Sequence, residues 1–429
     1  MKNQVQKIAA MEVLDSRGFP TIEVSLTLED SEGRSHTAHA LVPSGASRGS
    51  AEILELRDEN HRYLGKGVRK AIDQVETLIA PQTVGKSFED LNHWDKTLKM
   101  LSDTPLGGNA LLGASMAYAR AHASAHHLSL DRYLSQSLGT EGRLLPLPLM
   151  NIFNGGKHAD NGLQIQEFMI APLKFETFSE GLRACVEVFH HLKQILLNKG
   201  LSTAVGDEGG FAPVLTGKKP HTQAFHFILQ AIEKAGYRPD EDIVLAIDAA
   251  ATEFCTDSGY AFEGDSLGTQ DLIEIYRSWT QQFPLYSIED GLAEKDWEGW
   301  QALTTTLGRY QLVGDDLFVT NTQYLQKGIE LKAANAILIK PNQIGTVSET
   351  LKTIKLAKKS QYQFIISHRS GETEDTFIAD LALASESGQI KTGSACRTER
   401  VAKYNQLLRL EKKLGEQARF SSSLKRPPL

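Results

Sequence analysis

Asp248, Glu289, Asp315, Lys340, His368 and Lys391 each stand at the end of a short apolar run, and after Glu289 they recur about every 25 residues. That interval is close to the length of one strand-plus-helix unit. Three carboxylates on neighbouring strand ends would form a hard, oxygen-only site suited to Mg²⁺ or Mn²⁺. Lys340, Lys391 and Arg369 would set positive charge beside it, which fits an anionic substrate such as a phosphorylated carboxylic acid. A lysine among other cations has its pKa lowered by repulsion and can then act as a base. Removing a proton next to a carboxylate creates a dianion, which needs nearby metal ions and donors to hold it. These residue types point to metal-assisted proton abstraction.

The run AVGDEGGFAP adds Asp207 and Glu208 in a glycine-rich turn. A carboxyl crowded by other carboxylates keeps its proton to higher pH and can serve as a general acid. Aspartate and glycine also simply favour tight turns, so DEGG read alone fits either role. His158, in NGGKHADN, reads alone as a loop histidine satisfied by backbone, and NGG lacks the lysine spacing of a phosphate loop. His190 and His191 fall on a helical pattern and are expected on a helix surface.

These residues need a scaffold that brings strand ends together. The apolar runs IQEFMIAP (from Ile165), IVLAIDAA (from Ile243), PLYSIED (from Pro284), YQLVGDD (from Tyr310), NAILIKPNQIG (from Asn335), QFIISHRSGE (from Gln363) and GQIKTGS (from Gly388) alternate with helical stretches such as Thr346–Ser360 and Asp375–Ser385. Strands alternating with helices imply a parallel sheet, and this many units imply a closed (β/α)8-type barrel, a TIM-type α/β fold. In such a barrel the C-terminal strand ends share one face, where active sites are built.

Upstream the pattern differs. Strand-like segments Val5–Val13, Thr21–Leu28 and His36–Val42 precede helical patterns at Tyr63–Ile79, Leu91–Leu101 and Asn109–His126. Blocks of strands then helices suggest a small α+β domain. The expected division is therefore an N-terminal domain over 1–135 and a barrel over 140–429.

At 429 residues, with 41% hydrophobic and 23% charged residues, the chain can bury two cores, and the disordered class is excluded. A formal net charge of −7 argues against dedicated nucleic-acid binding. Cys185, Cys255 and Cys396 are scattered, without metal-ligand spacing, and read as small packing residues. Neither a secretory signal nor a membrane-spanning run is present, so a cytoplasmic protein with no membrane partner is expected.

The chain resembles the enolase family over essentially its whole length, from LDSRGFPTIEV to RVAKYNQLLRLE. The runs PSGASRG, LELRD, FNGGKHADN, IQEFMIAP, VGDEGG, SIEDGL, LVGDDLFVTN, IKPNQIG, SHRSGETED and IKTGS carry the resemblance. It implies a glycolytic enolase that dehydrates 2-phosphoglycerate to phosphoenolpyruvate with two Mg²⁺ per site, the second arriving with substrate. It further implies Lys340 as the base at C2 and Glu208 as the acid at the C3 hydroxyl. Asp248, Glu289 and Asp315 would bind the first metal, and Ser47 would help bind the second. Arg369 and Ser370 would hold the phosphate, with Lys391 near the substrate and His158, Gln166, Glu167 and His368 completing the pocket. An irregular barrel start with one antiparallel strand, a homodimer or octamer, and in some members a secondary cell-surface presence are also implied.

Three departures from the family pattern stand out. DSRGFPT has Phe19 where asparagine is usual, GASRG has Arg48 where threonine is usual, and SDTPLGGNA replaces a longer loop. Arg48 could strengthen attraction of an anionic substrate or oppose metal binding by repulsion. A divergent copy acting as a binding or scaffold protein is the second reading these departures leave open. The tail SSSLKRPPL reads as disordered.

Overall fold

A computed structural model describes residues 3–45, 49–101 and 106–421. The expectations for Ser47, for Arg48, for part of the shortened loop before Gly107 and for the tail beyond Ser421 lie outside the described residues.

Three long strands open the chain: β1 (Asn3–Leu14), β2 (Pro20–Glu29) and β3 (Ser35–Leu41). They pair antiparallel, with β2 in the middle. Along β2 the residues Ile22, Val24, Leu26 and Leu28 alternate with half-buried positions, so one face is fully covered. The covering element is the helix Gly108–Ala125, rich in alanine and buried over most of its length. A side chain at Gly113 would meet Val24 Cγ2 at 2.5 Å, so glycine there permits the close approach of helix to sheet.

One expected element differs. The helix anticipated over Tyr63–Ile79 is broken: a short 3₁₀ turn, Arg62–Gly65, comes first, and the helical stretch proper begins at Arg69. Tyr63 and Leu64 adopt left-handed backbone angles next to Gly65 and Gly67, and a helical periodicity count does not register that break.

The second part is a nine-stranded sheet ordered Leu147–Pro148, Gln389–Lys391, Gln363–Ser367, Ala336–Ile339, Gln311–Gly314, Leu285–Glu289, Ile243–Asp248, Glu167–Pro172 and Met150–Asn154. Its two outer strands are separated in sequence by Leu149 alone, so the sheet curls into a nearly closed barrel. Glu167–Pro172 runs antiparallel to both neighbours, and the strand pairs from Ile243–Asp248 round to Leu147–Pro148 are parallel. Inside the barrel, Met169, Ala171, Val244, Ala246, Val313, Ala336, Leu338 and Ile365 form a compact apolar floor. Outside it, amphipathic helices including Phe178–Asn198, Pro220–Lys234 and Val347–Lys359 bury their apolar faces against the sheet. Cys185 is packed as expected, whereas Cys255 is exposed on a short hairpin strand. His190 is exposed on its helix. Among the described residues no helix is long and apolar enough to cross a membrane.

Polar ties join the two parts. Arg120 makes two 2.7 Å contacts with Asp375, Ser44 and Gly371 exchange backbone bonds of 2.8 Å, and Asp95 accepts from the Ser348 amide at 2.8 Å. Asp95 is fully buried, and burial pushes its carboxyl up to about 6. Because the folded value lies above the unfolded one, this group favours folding fully below about pH 4, and the contribution fades as pH rises through about 6. A rise of that size corresponds to about 3 kcal/mol. Asp95→Asn should therefore gain stability relative to the native chain on going from acid to neutral pH. Urea midpoints at several pH values give the measurement, and parallel curves for the two proteins would contradict it.

Candidate active site

Strand register builds the site. Glu167, Asp248 and Glu289 are direct cross-strand partners on three adjacent strands, so their side chains share one face at one level. By alternation they stand above the apolar floor: Asp248 follows Ala246 and Val244, and Glu167 precedes Met169 and Ala171. Glu167 begins its strand, whereas Asp248 and Glu289 end theirs. The antiparallel direction of Glu167–Pro172 brings that start to the same rim. From the far side of the barrel, Lys391 reaches all three, at 3.0 Å to Glu167, 2.8 Å to Asp248 and 2.9 Å to Glu289.

Lys340 follows the strand Ala336–Ile339 and forms a short ion pair with Asp315. Asp315 also accepts from Gln343 at 2.8 Å, and Gln343 is held in turn by Thr320 at 2.7 Å. Burial, Arg369 and Lys391 all favour the neutral amine at Lys340, but the charge of Asp315 outweighs them and its pKa is raised. That is opposite to the lowering expected from its cationic neighbours, because the nearest charge is negative.

Arg369 and Ser370 lie just beyond the strand Gln363–Ser367. Arg369 pairs with Glu52 of the N-terminal domain at 2.9 Å. Glu52 also accepts from the Gly49 amide at 3.1 Å and from Gln343 at 3.2 Å. Phe19 lies away from these groups, its ring under the Lys66 ammonium at 3.6 Å, while Asp15 holds the turn through the Phe19 amide at 3.0 Å.

Glu208 comes from the glycine-rich turn and sits between His158 (3.7 Å), His368 (3.4 Å) and Asn151 (3.2 Å). Burial alone would raise its pKa, but the two rings and the nearby Arg400 reverse this and hold it well below the usual carboxylate range. Burial favours the neutral form of both imidazoles, with His368 down to about 4, and the ring nitrogens that face Glu208 stand at 3.7 Å and 3.4 Å from it. Glu167 moves the other way: burial first, then the charge of Glu208, push it well above the usual range. The sequence places the expected proton-keeping carboxyl in the Asp207–Glu208 turn; the raised carboxyl is instead Glu167, because the rings and Arg400 beside Glu208 favour its charged form.

The donor set fits a hard divalent cation. Asp248, Glu289 and Asp315 offer oxygen alone, and burial followed by the charge of Asp248 pushes Glu289 well above its ordinary value. Glu167 Oε2 is buried without a hydrogen-bond partner. Two separate groups each bring their potential ligand atoms within 4.8 Å of one another: His158, Glu167 and Glu208 form one, and Asp290, Asp315 and Asp316 the other. Asp248 and Glu289 instead turn to Lys391. The backbone amides of Asp315 and Asp316 both donate to Asp290 at 2.9 Å, which ties this last group to the fold.

His158, Gln166, Glu167, Glu208, Asp248, Asp315, Lys340, His368, Arg369, Ser370 and Lys391 line one cavity of about 20 Å³, and Glu289 joins them through Lys391. A cavity of about 410 Å³ at the opposite end of the barrel, lined by Leu173, Val244, Tyr286 and Tyr310 among others, holds no comparable cluster of ionisable groups. Size is therefore not the guide to the chemistry here. Glu52, Asn151, Gln343 and Arg400 are contributors that the sequence reading assigned no role. Asn151 and Arg400 lie within quoted runs or beside them, but only folding reveals what they touch.

Two family models match the chain: the enolase N-terminal domain over residues 5–134 and the enolase C-terminal TIM barrel domain over residues 142–427.

Proposed function

The chain belongs to the enolase family, as a lyase of that superfamily by both of its domains, and from that premise we propose that it interconverts 2-phosphoglycerate and phosphoenolpyruvate. The observation that supports this most is the Lys340–Asp315 pair facing Glu167 and Glu208 across one buried mouth. A base and an acid on opposite sides of a small substrate are what a β-elimination needs. The same reading carries a cytoplasmic glycolytic enzyme, a homodimer or octamer, divided at about residues 135–140.

In this proposal Lys340 takes the C2 proton. The pair Glu167–Glu208, sharing one proton, delivers it to the C3 hydroxyl, so that the C3–O bond breaks, water leaves and the C2–C3 double bond forms. Arg369 and Ser370 hold the phosphate; Arg369 exchanges its bond to Glu52 for one to the substrate. Lys391, Gln166, His158 and His368 surround the reacting carbons and keep solvent out. Asp248, Glu289 and Asp315 would hold the first Mg²⁺, and Ser47 would contribute to a second that arrives with substrate. When bound, the metal supplies positive charge to offset the extra negative charge on the substrate carboxylate. The test is phosphoenolpyruvate formation from 2-phosphoglycerate, which should require Mg²⁺ and stop on chelation.

A further inference from the structure

The helix Thr398–Leu414 sends two basic side chains, Arg400 and Lys403, entirely out of solvent behind the catalytic mouth. Lys403 binds the carbonyls of Thr373 (2.6 Å) and Glu399 (2.7 Å) and the Glu372 carboxylate (2.7 Å). Arg400 donates to the carbonyls of Arg369, Ser370 and Asp207, and its NH1 lies 2.7 Å from His368 Nδ1. The passage is built for this side chain. Gly393 has a left-handed backbone, and a Cβ there would meet Arg400 Cδ at 2.8 Å.

A guanidinium has donors and no acceptor, so His368 Nδ1 must present its lone pair. The single proton of the neutral ring then sits on Nε2, which faces Glu208 Oε1 at 3.4 Å. We propose that Arg400 is a positioning residue that fixes His368 as its Nε2–H tautomer, so that the ring donates toward Glu208 and cannot accept that carboxyl's proton. The same guanidinium gathers the Arg369 and Ser370 carbonyls behind the mouth. An ordinary buried arginine tied to backbone would stabilise the loop without selecting a tautomer. The ¹⁵N signature of the ring separates these two roles.

The kinetic arm of the test rests on the enolase-type reading, but the tautomer does not. In the full chain with ¹⁵N-labelled histidine, the His368 signals are identified by their loss in His368→Gln. The expected spectrum has an unprotonated Nδ1 and a protonated Nε2 throughout the neutral range. Arg400→Met should release the ring into a tautomer mixture and lower kcat about 10²-fold, as expected for a misplaced catalytic group. Arg400→Lys, which keeps one donor, should recover part of both. A protonated Nδ1 in the native chain would overturn the proposal even if every variant failed to fold. So would an Arg400→Met protein whose His368 signals match the native ones. A native chain with the fixed tautomer but no turnover would refute the enolase reading and leave the role of Arg400 standing.

Discussion

Lys340→Ala is expected to lose exchange of the C2 hydrogen of 2-phosphoglycerate by about 10²–10⁴-fold, the usual contribution of a positioned acid or base. Alanine removes the amine while leaving the surrounding supports in place. Asp315 keeps its bond from Gln343, Gln343 keeps Thr320, and the Lys340 amide still donates to Thr320 at 2.8 Å. Circular dichroism should therefore be unchanged. Exchange is read by loss of the C2 proton resonance in deuterium oxide, separately from dehydration. That separation matters because loss of the acid would stop dehydration while leaving exchange. Appreciable exchange by a folded Lys340→Ala protein would remove Lys340 as the base and return attention to Lys391, the other ammonium in the mouth.

Lys391→Met carries the largest expected effect on stability. Its ammonium is buried and shared among Glu167, Asp248 and Glu289, and Met preserves the length of the chain without the charge. Removing one partner of a buried ionic cluster leaves the others uncompensated, typically at about 3–5 kcal/mol. The loss should be greatest in EDTA and smaller at high Mg²⁺, since a divalent cation among the same oxygens restores the balance. Urea unfolding under both conditions is the measurement. A variant as stable as the native chain in EDTA would mean that the ammonium compensates no charge among these carboxylates, and the charge account of the site would fail.

Most of the barrel, and most of the mouth, could be read from the chain because both rest on local regularities. A charged residue closing an apolar run marks a strand end, and a spacing of about 25 residues places successive ends on one rim. Asp248, Glu289, Asp315, Lys340 and Lys391 were legible in that way. Glu167 was not, because it opens a strand of reversed direction, and strand direction leaves no trace in periodicity. For it the family resemblance was needed. The direction of the Lys340 shift was misjudged from residue types because it depends on which charge is nearest, and Asp315 is nearer than Arg369 or Lys391 in effect. Glu52 lies 317 residues from Arg369, and nothing local to either announces their pairing. Arg400 reads as one more charge on a surface helix until its neighbours are seen. Helix boundaries fared well where caps were present: Thr346 accepts from the Glu349 amide and starts the helix expected there. They failed at Tyr63, where two closely spaced glycines break the pattern.

The most direct test of the central claim is the ultraviolet absorbance of phosphoenolpyruvate formed from 2-phosphoglycerate by the native chain, first with Mg²⁺ and then with excess EDTA. Turnover that appears with the metal and disappears on chelation is the predicted result. A folded, metal-loaded protein that forms no phosphoenolpyruvate would contradict it, and the scaffold reading left open by Arg48 and Phe19 would take its place.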